Sequence, residues 1–262
     1  MGVGGAALAT VISQYVSGIG IMLYTLLCYK EVLVIFKISY LKKERINQII
    51  SFSLLTCIQQ SVMNLGILMV QGLVNSFGTV VMAAFAAAVK IDAFAYMPVQ
   101  DFGNAFSTFI AQNYGAKENK RIKQGLKDAV CISGLFCIVI SVLVFVFAKP
   151  LMMIFVDAKE TSIILEGVRY LRIEGAFYIG IGWLFLLYGL YRALGRPGMS
   201  VVLTVFSLGT RVALAYILSS IPTLGVIGIW WSVPIGWALA DIVGFVYYKI
   251  NKHNLLSFGG KL

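Results

Sequence analysis

Four amide side chains, Gln60, Asn64, Gln71 and Asn75, stand at i, i+4, i+11 and i+15 inside one apolar run. On a helix turning about 100° per residue they occupy an arc of roughly 60°. Such a stripe can line a cavity and hydrogen-bond a solute, or it can join helices at about 0.6–2 kcal/mol per bond. The next run is interrupted by Pro98, Gln100, Asp101, Gly103 and Asn104. Proline and glycine there kink a helix and free backbone carbonyls, the kind of break at which transporters bind. Gln100, Asn104 and Ser107 share one face of that helix, and Asp101 and Thr108 share another. In the last run Trp230, Pro234, Trp237, Asp241 and Gly244 fall within about 60° of one another. Their aromatic rings can hold a cation by its π faces or can simply pack.

These positions give two sets of candidates. Gln60, Asn64, Gln71, Asn75, Gln100, Asn104, Tyr178 and Trp237 are expected to line a substrate cavity, and Asp101, Arg211, Glu174 and Asp241 are charged candidates within apolar segments. An arginine in mid-span costs about 2.5–3.5 kcal/mol and needs a partner or water. Arg211 is expected about 12 Å deep and Asp101 about 15 Å deep, at 1.5 Å per residue, so the two are expected to pair. Glu174 is the shallower rival, placed near the outer end of its span, and Asp241 is deeper, at about 22 Å. Asp92 is expected at the membrane interface.

Most enzyme chemistry is excluded. The one histidine, His253, lies in the polar tail, and Cys28, Cys57, Cys131 and Cys137 show no CxxC spacing. No catalytic group, metal site or cofactor is expected, because nucleophile–base pairs and metal sets need residues this chain does not bring together.

The elements that must position these residues follow from composition. Of 262 residues, 60% are hydrophobic and 12% charged, with mean hydropathy +0.89. Soluble domains are about 45–50% apolar and about 25% charged, so this chain lacks the polar surface of a soluble globule. The expectation is an all-α, polytopic transmembrane bundle of about seven spans at roughly 20 residues each. The spans fall near 3–29, 54–82, 90–112, 129–148, 172–191, 200–219 and 226–248.

The net charge of +10 arises from 21 Lys and Arg against 11 Asp and Glu. Its distribution matches membrane topology and gives no nucleic-acid pattern. Lys30, Lys37, Lys42, Lys43 and Arg45 lie in one connection, and Lys117, Lys120, Arg121, Lys123 and Lys127 in another. With Arg192, Arg196 and the tail lysines they define the cytoplasmic side, leaving 149–171 and 220–225 outside.

That orientation puts Met1-Gly2-Val3-Gly4-Gly5 outside with no basic flank, as if the first span lacks its predecessor. Gly-Val-Gly-Gly at 2–5 also matches Gly-Val-Ile-Gly at 225–228, and Ile12, Ile19 and Tyr24 match Ile235, Ile242 and Tyr247 at the same offset. A parallel repeat of this kind is common in transporters. The expected organisation is 1–29, a helix of an absent amino-terminal lobe; 30–53, a basic linker; 54–250, a transmembrane lobe; and 251–262, a cytoplasmic tail.

Several stretches carry a family resemblance: GVGGAALATVISQ (2–14), YMPVQDFGNAFSTFIAQNYGA (96–116), LYRALGRPGMSVV (190–202) with SLGTR (207–211), and GIWWSVPIGWALAD (228–241). Together they resemble the multidrug and toxic compound extrusion (MATE) family of bacterial type, over essentially the whole chain. The resemblance implies twelve helices in two six-helix lobes. Residues 3–29 then match the sixth helix, and 54–248 match helices seven to twelve, one complete lobe preceded by one helix.

The resemblance further implies a bacterial inner-membrane antiporter that exports cationic or amphipathic compounds in exchange for H⁺ or Na⁺. Its partners are then the lipid bilayer, the substrate and the absent amino-terminal lobe, and the chain is expected to be inactive alone. Some members carry acids in the seventh and tenth helices; those positions fall near Met63 and Ile181, neither of them acidic. The alternatives are a lipid-linked oligosaccharide flippase of the same superfamily, which calls for more cavity cations than Arg211, or a non-transporting membrane fragment.

Overall fold

Breaks in the apolar pattern set the helix boundaries. In the computed structural model, which describes residues 2–29 and 43–255, these residues form eight helices and no strand. They are α1 (Gly2–Cys28), α2 (Lys43–Asn75), α3 (Thr79–Gly115), α4 (Asn119–Phe155), α5 (Thr161–Gly175), α6 (Tyr178–Ala193), α7 (Pro197–Ser219) and α8 (Val226–Leu255). Six are long and apolar enough to cross a membrane, and α5 with α6, bent by 51°, bring the number to seven if the pair is one span. The chain is thus a polytopic all-α membrane protein. It divides into two compact units, Met1–Ser51 and Phe52–Leu262. The expected linker at 30–53 and tail at 251–262 lie partly outside the described residues.

Glycine and proline act at the breaks. Gly78 has φ of 95° and precedes α3, Gly195 has φ of 72°, and Pro197 opens α7 where no helical N–H is needed. The second and third spans therefore differ from expectation. The run read as 54–82 stops at Asn75, and α3 starts at Thr79, not near 90. The apolar string after Gly78 hides this turn, because hydropathy does not register a positive φ. The connection read at 149–171 is mostly helical: α4 continues to Phe155 across a kink at Phe147, and α5 begins at Thr161.

The second unit is built around α6. Tyr178, Ile181, Gly182 and every residue from Leu184 to Tyr191 are buried, as expected of a helix that is apolar all round. Small residues let neighbours approach it. A Cβ on Gly189 would lie 2.6 Å from the Gly103 carbonyl oxygen, so α3 and α6 touch backbone to backbone. Gly236 plays the same part between α8 and α7, where a Cβ would lie 2.8 Å from the Ser207 carbonyl oxygen.

Candidate functional site

A cavity of about 370 Å³ lies in the second unit, with walls from α2, α3, α5, α6, α7 and α8. From α2 it takes Gln60, Asn64 and Gln71, and from α3 Asp92, Tyr96 and Gln100. Tyr170 and Glu174 come from α5, Arg211 from α7 and Trp237 from α8.

Asp92, 8% exposed, is buried in its wall. Tyr170 donates its hydroxyl to Asp92 Oδ2 at 2.7 Å, and Tyr178 donates to Oδ1. The ring of Tyr170 is held edge-on to Trp230 and Phe85, at centroid distances of 4.8 and 5.5 Å. Glu174, 6% exposed, lines the same cavity, and its Oε2 has no hydrogen-bond partner. Arg211 lines the same cavity as both carboxyl groups, and its Nε is also unpartnered. Opposite charges thus share one cavity wall without closing into an ion pair. They leave hydrogen-bonding capacity that a bound solute or ion can take up.

Three expectations are corrected here. Asp101 does not pair with Arg211: it is exposed and lies off the cavity wall. Among the described residues the one ion pair is Arg169–Glu166, at 3.0 Å. The reason is helical phase. Asp101 and Asp92 are nine residues apart on α3, about half a turn out of phase, so the face that turns Asp92 inward turns Asp101 outward. Asp92 is not interfacial, because α3 starts earlier than expected and places it about 20 Å along the helix. Glu174 is not an exposed carboxylate near a span end; it sits in the cavity beside the α5–α6 break.

Of the remaining candidates, Gln60, Asn64, Gln71, Gln100 and Trp237 come together at the cavity. Asn75 lies beyond it and accepts a hydrogen bond from Gln71 Nε2 at 2.9 Å. Asn104 accepts one from Arg192 Nη2 at 3.1 Å and does not line the cavity. Tyr178 reaches the wall through Asp92. Asp241 lies in a different cavity, between α6 and α8.

Met63 and Ile181, near which the family resemblance led acids to be sought, both line the central cavity. The carboxyl groups in this chain come instead from Asp92 and Glu174. Sequence reasoning missed Asp92, Tyr96 and Tyr170. The available signal was Gly78: counting α3 from that turn puts Asp92 in mid-helix.

The model of the MatE family matches residues 53–217. The chain is 28% identical over 254 residues to the "Probable multidrug resistance protein YoeA" of Bacillus subtilis (strain 168), over 95% of this chain and 54% of that protein. It is 25% identical over 244 residues to the "Probable multidrug resistance protein NorM" of Thermotoga maritima, over 93% of this chain and 51% of that one. The chain therefore spans about half the length of these curated relatives. Among solved structures, an outward-facing multidrug resistance MATE family transporter superimposes with a TM-score of 0.85 at 22% identity, over 96% of this chain and 56% of that one. An inward-facing one gives 0.73 at 20% identity, over 84% and 51%. These likenesses to solved structures establish the fold.

Proposed function

Because this chain belongs to the MATE family, whose members are multi-pass membrane transporters and not enzymes, we propose that it forms the carboxyl-terminal lobe of a secondary active exporter in a bacterial plasma membrane. The lobe takes up cationic or amphipathic compounds and releases them outward against an inward flow of H⁺ or Na⁺. The observation that carries this reading is the cavity of about 370 Å³ in which the amides of α2 face Asp92, Glu174 and Arg211.

In this reading the amide stripe hydrogen-bonds the polar parts of varied substrates, and Trp237 and Tyr96 offer aromatic faces. Glu174 is the cation-binding group, since its Oε2 is unpartnered. Asp92, held by two tyrosines, is the fixed charge against which the cavity is set. Alternating access then needs a second lobe across the cleft, as in relatives about twice this length.

The test is efflux of ethidium from proteoliposomes. The chain co-reconstituted with the amino-terminal half of a full-length relative is expected to export the dye only under an imposed gradient. Collapsing the pH gradient or omitting Na⁺ identifies the coupling ion. Export without any gradient overturns the antiport reading, and gradient-driven export by the 262-residue chain alone overturns the need for a second lobe.

A further inference from the structure

A second cavity, of about 450 Å³, opens on the other flank of α6, where α6 meets α8. On α6, Ile181, Leu184 and Tyr188 face the central cavity, whereas Ile179, Gly180 and Trp183 face this one. Three aromatic rings, Phe177, Trp183 and Phe245, stand in its walls. Trp183 and Phe245 meet edge to face with centroids 5.9 Å apart, and Trp183 is fixed by its Nε1, which donates to the Val130 carbonyl at 3.3 Å.

Among these apolar walls stands one acid, Asp241. It is 6% exposed, and its Oδ1 is buried with no hydrogen-bond partner. Among the described residues no lysine or arginine lines the cavity. Gly180 lies beside the carboxyl group, where a Cβ would stand in ordinary contact, 3.7 Å from Asp241 Oδ2.

Depth decides what can partner this group. Asp241 lies about 22 Å along α8 from Val226, inside a hydrocarbon core about 30 Å thick and about 8 Å short of its far side. A buried acid without a partner is costly at that depth, where water is scarce. Unless a proton neutralises the acid, its complementary charge has to arrive on a body that dissolves in hydrocarbon. The rim allows such a route: Ile242 is 59% exposed and Val246 50% exposed, so the cavity opens sideways and not only along the bundle axis. Aromatic faces around an acid suit an ammonium group, which gains from the ring quadrupoles as well as the carboxylate.

We propose that this cavity is a second binding site, for an ammonium group carried on an apolar body and entering from the bilayer. Asp241 takes the ammonium, and Phe177, Trp183 and Phe245 enclose the adjoining hydrocarbon. The site is separate from the central cavity, which shares α6 but presents Glu174. Two sources supply this chemistry: a lipophilic amine dissolved in the membrane, or the headgroup of an aminophospholipid. Both reach an acid about 8 Å inside the hydrocarbon core through the exposed rim, and the experiment separates them.

The test is titration of the full chain in phosphatidylcholine nanodiscs with dansylcadaverine, an apolar primary amine, read by dansyl fluorescence. Its matched anion, 6-(dansylamino)hexanoic acid, is the control. Amine binding is expected to contain a component that Asp241→Asn weakens by about tenfold or more and that Glu174→Gln leaves in place. Ala238→Trp fills the cavity from its exposed rim without touching the carboxyl group, and it is expected to remove the same component even if Asp241→Asn fails to fold. Adding phosphatidylethanolamine distinguishes the sources: a drop in amine affinity that vanishes in Ala238→Trp makes the lipid headgroup an occupant, and no drop leaves the dissolved amine. An amine isotherm unchanged by both Asp241→Asn and Ala238→Trp overturns the site, as does equal binding of the anion.

Discussion

Tyr170 on α5 donates its hydroxyl to Asp92 on α3 at 2.7 Å, and so ties the short half of a broken span to the middle of an unbroken one. The ring that carries this hydroxyl is wedged against Trp230 and Phe85, and the bond forms without further adjustment. Tyr178, just beyond the break, supplies the second donor to the same carboxyl group.

Tyr170→Phe is therefore expected to destabilise the second unit by about 1.5–3 kcal/mol, the worth of a hydrogen bond to a charged group. Thermal unfolding in detergent measures this. Tyr170→Phe combined with Asp92→Asn is expected to cost less than the two losses added together, because the second change no longer strands a partner.

Asp101 and Arg211 do not touch, whereas Glu174 and Arg211 share a cavity wall. Double-mutant cycles in the same unfolding assay are expected to separate the two cases. Asp101→Asn with Arg211→Gln should add within about 0.5 kcal/mol, and Glu174→Gln with Arg211→Gln should show a coupling larger than that. Coupling in the first pair alone would reverse the placement of the cavity charge.

Gly189→Ala is expected to cost about 1–3 kcal/mol, since its methyl group would meet the Gly103 carbonyl oxygen at 2.6 Å, and backbone yields poorly. Gly209→Ala on α7 has nothing within 4 Å and is expected to stay within about 0.5 kcal/mol of the parent. Helix propensity alone favours alanine at both positions, so an equal change at the two, measured by unfolding, would mean that close approach does not govern Gly189.

The basic residues of 113–128 predict that this connection is cytoplasmic and that 149–171 lies outside. With the native cysteines replaced by serine, Ser162→Cys is expected to react with a membrane-impermeant maleimide on intact cells. Lys120→Cys is expected to react only after lysis. Both positions are exposed, so accessibility does not confound the comparison. The opposite pattern would invert the assigned topology.

What the sequence makes legible here is periodic. The α2 stripe needs nothing but the 100° step of a helix, and Gln60, Asn64 and Gln71 reach the cavity together. The Trp237 face of α8 is equally local, and Trp237 lines the same cavity. What stays hidden depends on where a helix begins and on how one helix is rotated against the next. Depth counting placed Asp101 and Arg211 at matching heights, but height says nothing of azimuth, and Asp101 points away. Asp92 was assigned to the surface because an apolar run continues through Gly78, whose positive φ no hydropathy scale records. Glu174 was judged by its nearness to a span end, whereas the span bends there and folds that end inward.

The bend between α5 and α6 also bears on how the protein is made. α5 has 15 residues and α6 has 16, so each extends about 22–24 Å, short of a hydrocarbon core about 30 Å thick. α5 also carries Glu166, Arg169, Arg172 and Glu174. It cannot partition into lipid when it leaves the ribosome; it must wait for α6, and the pair then integrates as one event. The carboxyl group of Glu174 is thus delivered to the membrane interior by the apolar helix that follows it in translation, and the central cavity closes only after that late step in biogenesis.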